Sequence, residues 1–384
     1  MAAYFNNLFI PLISGQVTQT AYGTSDVILL NTYTQDNYDW GMLAKQYNPG
    51  RVPLTVQVGE VANTQLNANN SWPIISGKLS EVDEGYDTDE TQLRGLGVLS
   101  ALTEGRTTQK AYMNVDAGQA IAQLISQAGL TAQVPTAGVT VGHIIQDDYA
   151  SMSRNLRQLE FINAIAVGLN WTVRVRGTTV IVGPAPAYNE VPTLNKIWNA
   201  GAGISLSITH SPYASKNIKV RVVSYIPGTK SRVSSDADLS DPYIQSLLAG
   251  STLNLPEVTA PSNTRGGRQV GFASGPLTES AEEIYVRHVP GITSAKADAL
   301  AARIAADIAQ HEYVLQMKWA PDLTELKTIA QSSPEFLINL SGVKPSARGL
   351  YHMRHVHWDW SLEEGLTVEV LAVNHTIPTN TGGE

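Results

Sequence analysis

Cysteine is absent from this chain of 384 residues, and charged side chains make up only 16% of it. The lack of thiols excludes disulfides, thiolate catalysis and cysteine-ligated zinc sites. No segment approaches the roughly 18–20 apolar residues that a membrane helix requires. The first residues have neither the basic leader nor the apolar core of a signal peptide. We therefore expect a protein that is made in a cytoplasm and does not insert into a membrane.

The charge balance limits the class of partner. The net charge is −8 and the isoelectric point is near 5.5. The sequence has no cluster of lysine and arginine of the kind that grips nucleic acid phosphates. A low charged fraction is typical of a surface covered by protein partners, although an ordinary globular protein with a polar, uncharged surface has the same composition. The 31 glycines and 19 prolines favour β structure with frequent turns.

Sequence motifs for nucleotide binding and hydrolysis are absent. There is no P-loop and no nucleophile elbow. Gly201 and Gly203 precede a predicted strand and not a phosphate-binding helix. His311 and Glu312 begin like the helix of a zinc protease, but Leu315 stands where the second histidine ligand is required. No cofactor is therefore expected.

The first predicted region, residues 1–108, is β. Segment 54–58 alternates apolar and polar residues with a period of two, as a half-buried strand does. Segments 74–82 and 93–99 follow as further strands, separated by turn-forming residues. Short strands at this spacing predict a small barrel or sandwich.

The second region, residues 109–187, has a helical period followed by a hairpin. Asp116 is predicted to cap a helix that stops at Gly129. A second helix is predicted to begin near residue 151 or 153 and to end at Gly168. Two short alternating segments then flank Gly177 and predict a β-hairpin. This order indicates a compact α+β module.

The third region, residues 188–384, returns to β. Its predicted strands are 204–210, 218–222, 283–289, 313–319, 336–340, 351–358 and 366–373. Residues 231–275 form a long polar segment that we interpret as an interaction loop, because loops of that length are uncommon without a function. An alanine-rich helix is predicted over 294–312, with its apolar stripe packed on a sheet of the same chain or on a neighbouring chain.

The order of motifs near the C-terminus is informative. The alanine-rich helix runs directly into the strand 313–319. It is followed by Gly349-Leu-Tyr351, then His355-Val-His357-Trp358, then Gly365-Leu-Thr367. This order resembles the C-terminal half of bacteriophage baseplate hub proteins, the late control gene D protein family. The hub segment of type VI secretion spike proteins is related to that family. The second region likewise resembles the domain inserted in such hubs.

The resemblance implies an α+β, mainly β fold. It consists of two tail-tube-like β-barrel domains, residues 1–108 and 188–384, with a small α+β insertion domain between them. Gly349, Tyr351, His357, Gly365 and Thr367 are the positions of the family pattern, and the resemblance implies a structural role for them.

The resemblance also implies a structural function and no enzymatic activity. The chain would form a homotrimeric ring in the tail baseplate of a virion, joining a six-fold tail tube to a three-fold central spike. Its partners would be the tail tube or a tube-initiator protein, the central spike protein, and baseplate wedge or other baseplate proteins. DNA would pass through the channel without tight binding.

Six carboxylates lie within ten residues, at Glu81, Asp83, Glu84, Asp87, Asp89 and Glu90. Their spacing does not match a calcium loop, and neighbours in sequence do not form the paired carboxylates of a glycosidase cleft. A solvated acidic loop accounts for them simply. In a hub, the sharper hypothesis is that they line the channel and repel the DNA backbone.

Three histidines, at positions 352, 355 and 357, are the strongest metal-ligand candidates. Strand alternation predicts that His355 and His357 share one face while His352 points to the other. Two imidazoles on one face can share a metal with a partner's carboxylate. Ordinary structural histidines explain the same pattern, so the sequence predicts no metal site beyond this weak candidate.

Two other functions remain open at this stage. One is a virion-associated cell-wall hydrolase that uses Glu312 or the acidic run, although no second motif is available to pair with them. The other is a receptor-binding tail module, for which exposed aromatic patches and a repeat-rich stalk are expected; the sequence has no such repeats.

Overall fold

A computed structural model describes most of the chain. The described residues are 1–5, 8–20, 26–33, 40, 54–62, 65–85, 87, 89–105, 115–139, 157–184, 190–199, 201, 203–211, 218–226, 231–238, 283–289, 292–310, 312–344 and 347–374. None of the helices in these ranges is both long enough and apolar enough to cross a membrane.

Strands predominate in these ranges, which confirms the predicted mainly β fold. The strands are β1 (Ala2–Phe5), β2 (Leu8–Ile10), β3 (Leu12–Thr20), β4 (Val27–Tyr33), β5 (Leu54–Ala62), β6 (Gln65–Gly85), β7 (Glu90–Gly97), β8 (Thr131–Gln133), β9 (Thr172–Arg176), β10 (Thr179–Gly183), β11 (Thr193–Ile197), β12 (Ser205–His210), β13 (Ile218–Ile226), β14 (Ser231–Asp238), β15 (Glu283–His288), β16 (Tyr313–Trp319), β17 (Leu337–Ser341), β18 (Gly349–Ser361) and β19 (Gly365–Asn374). The helices are α1 (Ser100–Glu104), α2 (Ala117–Gln127), α3 (Gln158–Gly168), α4 (Ser294–Gln310) and α5 (Leu323–Ser332).

One large sheet contains strands from both ends of the chain. Its order is β12-β16-β19-β18-β3-β4-β7-β6-β5-β1-β2, with β17 joined to β18 and β11 joined to β17. The two predicted β regions meet where β3 pairs antiparallel with β18. Across the described residues this path is open, so the predicted pair of closed barrels is not confirmed. The two β regions share one sheet.

The long strand β6 serves both neighbours in turn. Its first part pairs with β5 and its second part with β7, and Gly77 is paired with both. A Cβ atom at Gly77 would lie 2.2 Å from the carbonyl oxygen of Leu96. Only glycine fits at this crossing, because a side chain there would force the strands apart.

The apolar core lies on one side of this sheet. On β4 the buried residues Ile28, Leu30 and Thr32 alternate with half-buried ones, as expected for a sheet with one covered face. The core includes strands from both ends of the chain. Helix α5 adds Leu326 and Ile329 to it, which places a C-terminal helix over the N-terminal part of the sheet.

A second core holds the smaller elements together. It combines α2, α3 and the β8-β10-β9 sheet with α4 and the β14-β13-β15 sheet. Helix α4 therefore packs within the chain, against β13 and β14. This core takes residues from both the predicted insertion domain and the predicted third region. The predicted domain boundary at residue 187 therefore does not coincide with the end of this core.

Most locally predicted elements are found in the structure. The hairpin about Gly177 is confirmed, and α2 has Asp116 as its N-cap, accepting a hydrogen bond from the amide of Gly118. Helix α3 ends at Gly168 as predicted, while the expected start near 151–153 lies outside the described residues. The interpretation of 231–275 as one loop is wrong at its beginning, because β14 pairs with β13. Residues 239–275 lie outside the described residues.

A buried glutamine fastens the join between the two ends of the chain. Gln19 on β3 is 3% exposed. Its amide nitrogen donates to the carbonyl oxygen of Ile74 at 2.8 Å. Its amide oxygen accepts from the Trp358 indole at 2.9 Å and from the Ser333 hydroxyl at 2.8 Å. Strands β3, β6 and β18 and the end of α5 therefore meet at one side chain.

Replacing this amide is expected to destabilise the fold. Gln19→Leu leaves an indole N–H, a hydroxyl and a carbonyl without their partner in the core, and we expect a loss of about 2–4 kcal/mol in the free energy of unfolding. Urea unfolding followed by circular dichroism measures it. The matched control is Gln16→Leu, three residues earlier and on the exposed side of β3. It should change the free energy of unfolding by less than about 0.5 kcal/mol. Equal losses in the two variants would contradict the assignment.

A buried carboxyl group precedes β4. Asp26 is 7% exposed, and its Oδ1 accepts a hydrogen bond from the backbone N–H of Thr20 at 3.1 Å. Burial raises the pKa of Asp26 from its ordinary value of 3.8 to about 7, while the hydrogen bond from Thr20 acts in the opposite direction. The folded state therefore holds a proton that the unfolded chain releases near pH 4.

This proton makes stability fall as pH rises from about 4 to 7, because the folded state binds more protons than the unfolded state in that range. Asp26→Asn keeps the acceptor oxygen and removes the charge. We expect it to stabilise the protein above pH 7, by on the order of 4 kcal/mol at most, and to flatten the slope between pH 4 and 7. Urea midpoints across pH 3–9 check this. The exposed control Asp87→Asn should keep the wild-type slope; an unchanged slope in Asp26→Asn would refute the prediction.

Candidate functional site: the polar face of the large sheet

The side of the large sheet opposite the core carries a mainly polar surface, which we call the polar face. Apolar side chains are interspersed on it at Val27, Leu29, Tyr33, Leu96 and Leu371. Directly opposed residues of antiparallel strands point to the same side. The register therefore places Ser361, Ser14, Asn31, Gln92 and Asp83 in one row across β18, β3, β4, β7 and β6. A parallel row contains Thr367, Asp359, Gln16, Leu29, Arg94 and Glu81. A third contains Ser205, Lys318, Glu369, His357 and Thr18.

Neighbouring side chains in these rows contact one another. Asn31 donates to Ser14 at 2.7 Å, Gln92 to Asn31 at 3.3 Å, and Gln316 to Glu369 at 2.5 Å. Arg94 lies 3.2 Å from Glu81 and Lys318 lies 3.7 Å from Asp359. Such exposed pairs add only a few tenths of a kcal/mol each. Their effect is to order a hydrophilic surface that crosses strands from both halves of the chain.

The polar face is acidic. Among the described residues its carboxylates are Glu81, Asp83, Glu90, Asp359 and Glu369, and its cations are Lys78, Arg94 and Lys318. Each of these cations forms an ion pair, with Glu104, Glu81 and Asp359 respectively. The exposed charge that remains is negative.

The structure places the predicted acidic run on the hairpin between β6 and β7. Glu81, Asp83 and Glu90 belong to the polar face. Glu84 is opposite the buried Thr91 and so lies on the other side of the strand. Asp87 and Asp89 are exposed at the turn, where Asp89 has a φ of 55°. Half of the run thus lies on one paired, ordered surface and not on a loop.

His355 and His357 share the polar face, as predicted. The Thr18 hydroxyl lies 3.0 Å from Nδ1 of His357. Burial and the neighbouring His357 lower the pKa of His355, whereas Glu369 acts to raise it. No group of three histidine, aspartate or glutamate side chains suited to a metal occurs within the described residues, so the metal hypothesis gains no support from this geometry.

The predicted orientation of His352 is wrong. A bulge lies between Met353 and His355, so that His352 is opposite Val373 and His355 is opposite Leu371. Residues 371 and 373 point to the same side of β19, and the two histidines therefore do as well. His352 is covered, and its pKa is lowered to about 3 by burial and by the nearby Arg354 and Arg174. Counting alternate residues along the sequence could not reveal the extra residue in the strand, Arg354.

The other residues of the family pattern, Gly349, Tyr351, Gly365 and Thr367, lie on β18 and β19. Tyr351 is fully buried and its hydroxyl donates to the carbonyl oxygen of Ala347 at 2.8 Å. Gly365, the first residue of β19, has a φ of 76°, a conformation that favours glycine. Thr367 lies opposite Asp359 on the polar face. Gly349 begins β18 with a φ of 136°.

Glu312, the carboxylate considered for hydrolysis, is buried at a sheet edge. It is 7% exposed, and its Oε1 lies 3.2 Å from Nε2 of His210. The His210 ring in turn stacks on Tyr313 with centroids 4.2 Å apart. Glycoside hydrolysis requires two carboxylates set across a cleft, and Glu312 lines neither the cleft of about 390 Å³ nor the pocket of about 270 Å³.

Comparison with known proteins relates the fold to phage tails. No protein-family model and no curated protein matches the sequence. A tail protein from Neisseria meningitidis has a similar structure, with a TM-score of 0.58 and 10% identity over 97% of this chain and 95% of that one. The 43 kDa tail protein of prophage MuSo2 from Shewanella oneidensis gives a TM-score of 0.52 and 9% identity, with 97% of each chain covered.

A third similar structure is a component of the type VI secretion system of Escherichia coli, described as structurally similar to the bacteriophage T4 tail proteins gp27 and gp5. Its TM-score is 0.50, with 8% identity over 97% of this chain and 77% of that one. At these identities the comparisons establish a shared fold. The resemblance to phage tail and baseplate hub proteins seen in the sequence motifs is confirmed in that sense.

Proposed function

We propose that this chain is a structural baseplate hub of a phage tail or a related virion. The observation that carries the proposal is the polar face, an acidic surface that is continuous across strands from both ends of the chain. Its reverse side is the apolar core. A sheet with one covered face and one ordered hydrophilic face is suited to line an aqueous passage.

The hub is a homotrimer whose members each supply two tube-like β regions. Three chains then present six similar units, which match a six-fold tail tube on one side and a three-fold central spike on the other. Closed symmetry of this kind needs no special contact beyond repeated use of the same interface. The shared fold of the phage tail proteins supports this arrangement.

In this arrangement the polar face lines the channel. Its unpaired negative charge repels phosphate groups, so DNA passes in transit without binding. The partners are the tail tube or its initiator, the central spike, and wedge or other baseplate proteins. The place of the protein is the tail baseplate of the virion, and its role is mechanical: no residue performs covalent chemistry.

The oligomeric state is the first test. Multi-angle light scattering across a concentration series should give a mass near three times 41.4 kDa, and negative-stain averages should show a three-fold ring with a central opening. A monomer at every concentration, or one that stays monomeric with a co-expressed spike partner, would count against the hub. Clearing of peptidoglycan by the purified chain would instead indicate a hydrolase.

Charge reversal tests the channel surface. Asp83→Lys together with Glu90→Lys adds positive charge to the polar face, and we expect the oligomer to retain double-stranded DNA at low salt, with retention that falls steeply as salt rises. Gel-shift titration of the purified oligomer measures it. The control makes the same charge change at Glu363 and Glu364, in the exposed turn between β18 and β19. Equal retention by both double variants would show that the polar face has no special position.

A further inference from the structure

A cleft of about 390 Å³ lies where the elements of the second core, α3, α4, β9 and β15, meet β18 of the large sheet. Helix α3 and the first residues of β9 form one side, and α4 with β15 forms the other. The lining is part apolar, with Val167, Ile304 and Ile308, and part polar, with Asn163 and Asn170. The volume is within the range of small-molecule sites, roughly 300–1,000 Å³.

Two aromatic side chains border this cleft. Trp171 is partly buried, and Tyr285 on β15 is 43% exposed. An exposed tyrosine on an edge strand presents a large ring face on which a ligand can stack. Rings placed with amide groups in one cleft suit a ligand that has both apolar ring faces and hydroxyl groups.

Two arginine side chains, Arg287 and Arg354, line the cleft. Arg354 is 3% exposed and donates to Oδ1 of Asp307 at 3.1 Å. Arg174, outside the lining, is paired with the buried Glu335 at 2.9 Å. Arg287 lies at the rim, on the same strand as Tyr285.

The cations outnumber the carboxylates at this junction. Among the charged residues that line the cleft, two arginines, Arg287 and Arg354, accompany one carboxylate, Asp307. The chain as a whole carries a charge of −8. A local cationic excess in the lining of a cleft, in a protein that is acidic as a whole, favours an anionic ligand.

We propose that this cleft binds an acidic saccharide, a sugar ring that carries a carboxylate or phosphate group. The sugar ring stacks between Trp171 and Tyr285, the amides of Asn163 and Asn170 bond its hydroxyls, and Arg287 binds the acidic group. The guanidinium of Arg354, held by Asp307, supplies the positive potential beneath it. This cleft is distinct from the polar face, and the proposal does not require that the chain form a trimeric ring.

Binding can be measured on the full chain by isothermal titration calorimetry and saturation-transfer NMR. N-acetylmuramic acid is the carboxylate probe and glucosamine 6-phosphate is the phosphate probe. N-acetylglucosamine is the neutral control, and a short glutamate peptide tests whether charge alone suffices. We expect one or both acidic sugars to bind at least about tenfold more tightly than the neutral sugar. The two acidic probes distinguish a carboxylate-bearing from a phosphate-bearing ligand.

Two variants locate the site. Arg287→Gln should reduce the affinity for the acidic sugar about tenfold, and Tyr285→Ala should reduce it for every sugar. The matched control is Arg303→Gln. Arg303 lines an adjacent pocket of about 270 Å³ that shares Trp171 with the cleft but lacks Tyr285 and Arg287, and its replacement should leave binding unchanged. Circular dichroism checks that each variant is folded.

Four results would overturn the proposal. They are the absence of saturable binding by either acidic sugar, equal affinity for the neutral sugar, an equal loss in Arg303→Gln, or tighter binding of the glutamate peptide. Each can occur whether or not the chain forms a trimeric ring, and a monomeric chain that binds acidic sugars would contradict only the hub.

Discussion

The pairing of β3 with β18 is the constraint on which the rest of the structure depends. It joins residues 14–20 to residues 355–361, so the large sheet is complete only when the two ends of the chain meet. Closing so long a loop carries an entropic cost that grows slowly with length, and burial of the shared core must offset it. The core is placed to do so, because β3 and β18 each contribute to it.

The register of that pairing is fixed by side chains on both faces. A slip of one residue would turn Gln19 from the core to the polar face and put Thr18 inside. Gln19 would then lose the Trp358 indole and the Ser333 hydroxyl, while Thr18 would lose His357. The hydrogen bonds of Gln19 and Thr18 thus favour the alignment from which every row of the polar face follows.

Local elements were predictable from the sequence because their signals are local. Asp116, Gly168 and Gly177 mark a helix start, a helix end and a turn, and each is found at its expected place. The β3–β18 pairing was not predictable, since alternation identifies a strand without naming its partner. The polar face was missed for the same reason: Asp83, Asn31 and Asp359 become neighbours only through strand order. The predicted orientation of His352 was wrong because a bulge has no signature in residue type.

The bulge at Arg354 also divides the functions of β18. On its C-terminal side, His355, His357 and Asp359 continue the polar face. On its N-terminal side, His352 is covered, and Arg354 itself reaches Asp307 on α4. Because of the extra residue, the Arg354 side chain is buried against Asp307 of α4 and does not lie on the acidic polar face. On the polar face each of the three cations is paired with a carboxylate, whereas Arg287 and Arg354 line the cleft beside α4. The one extra residue in β18 therefore decides which of its charged side chains belong to the polar face and which contacts α4.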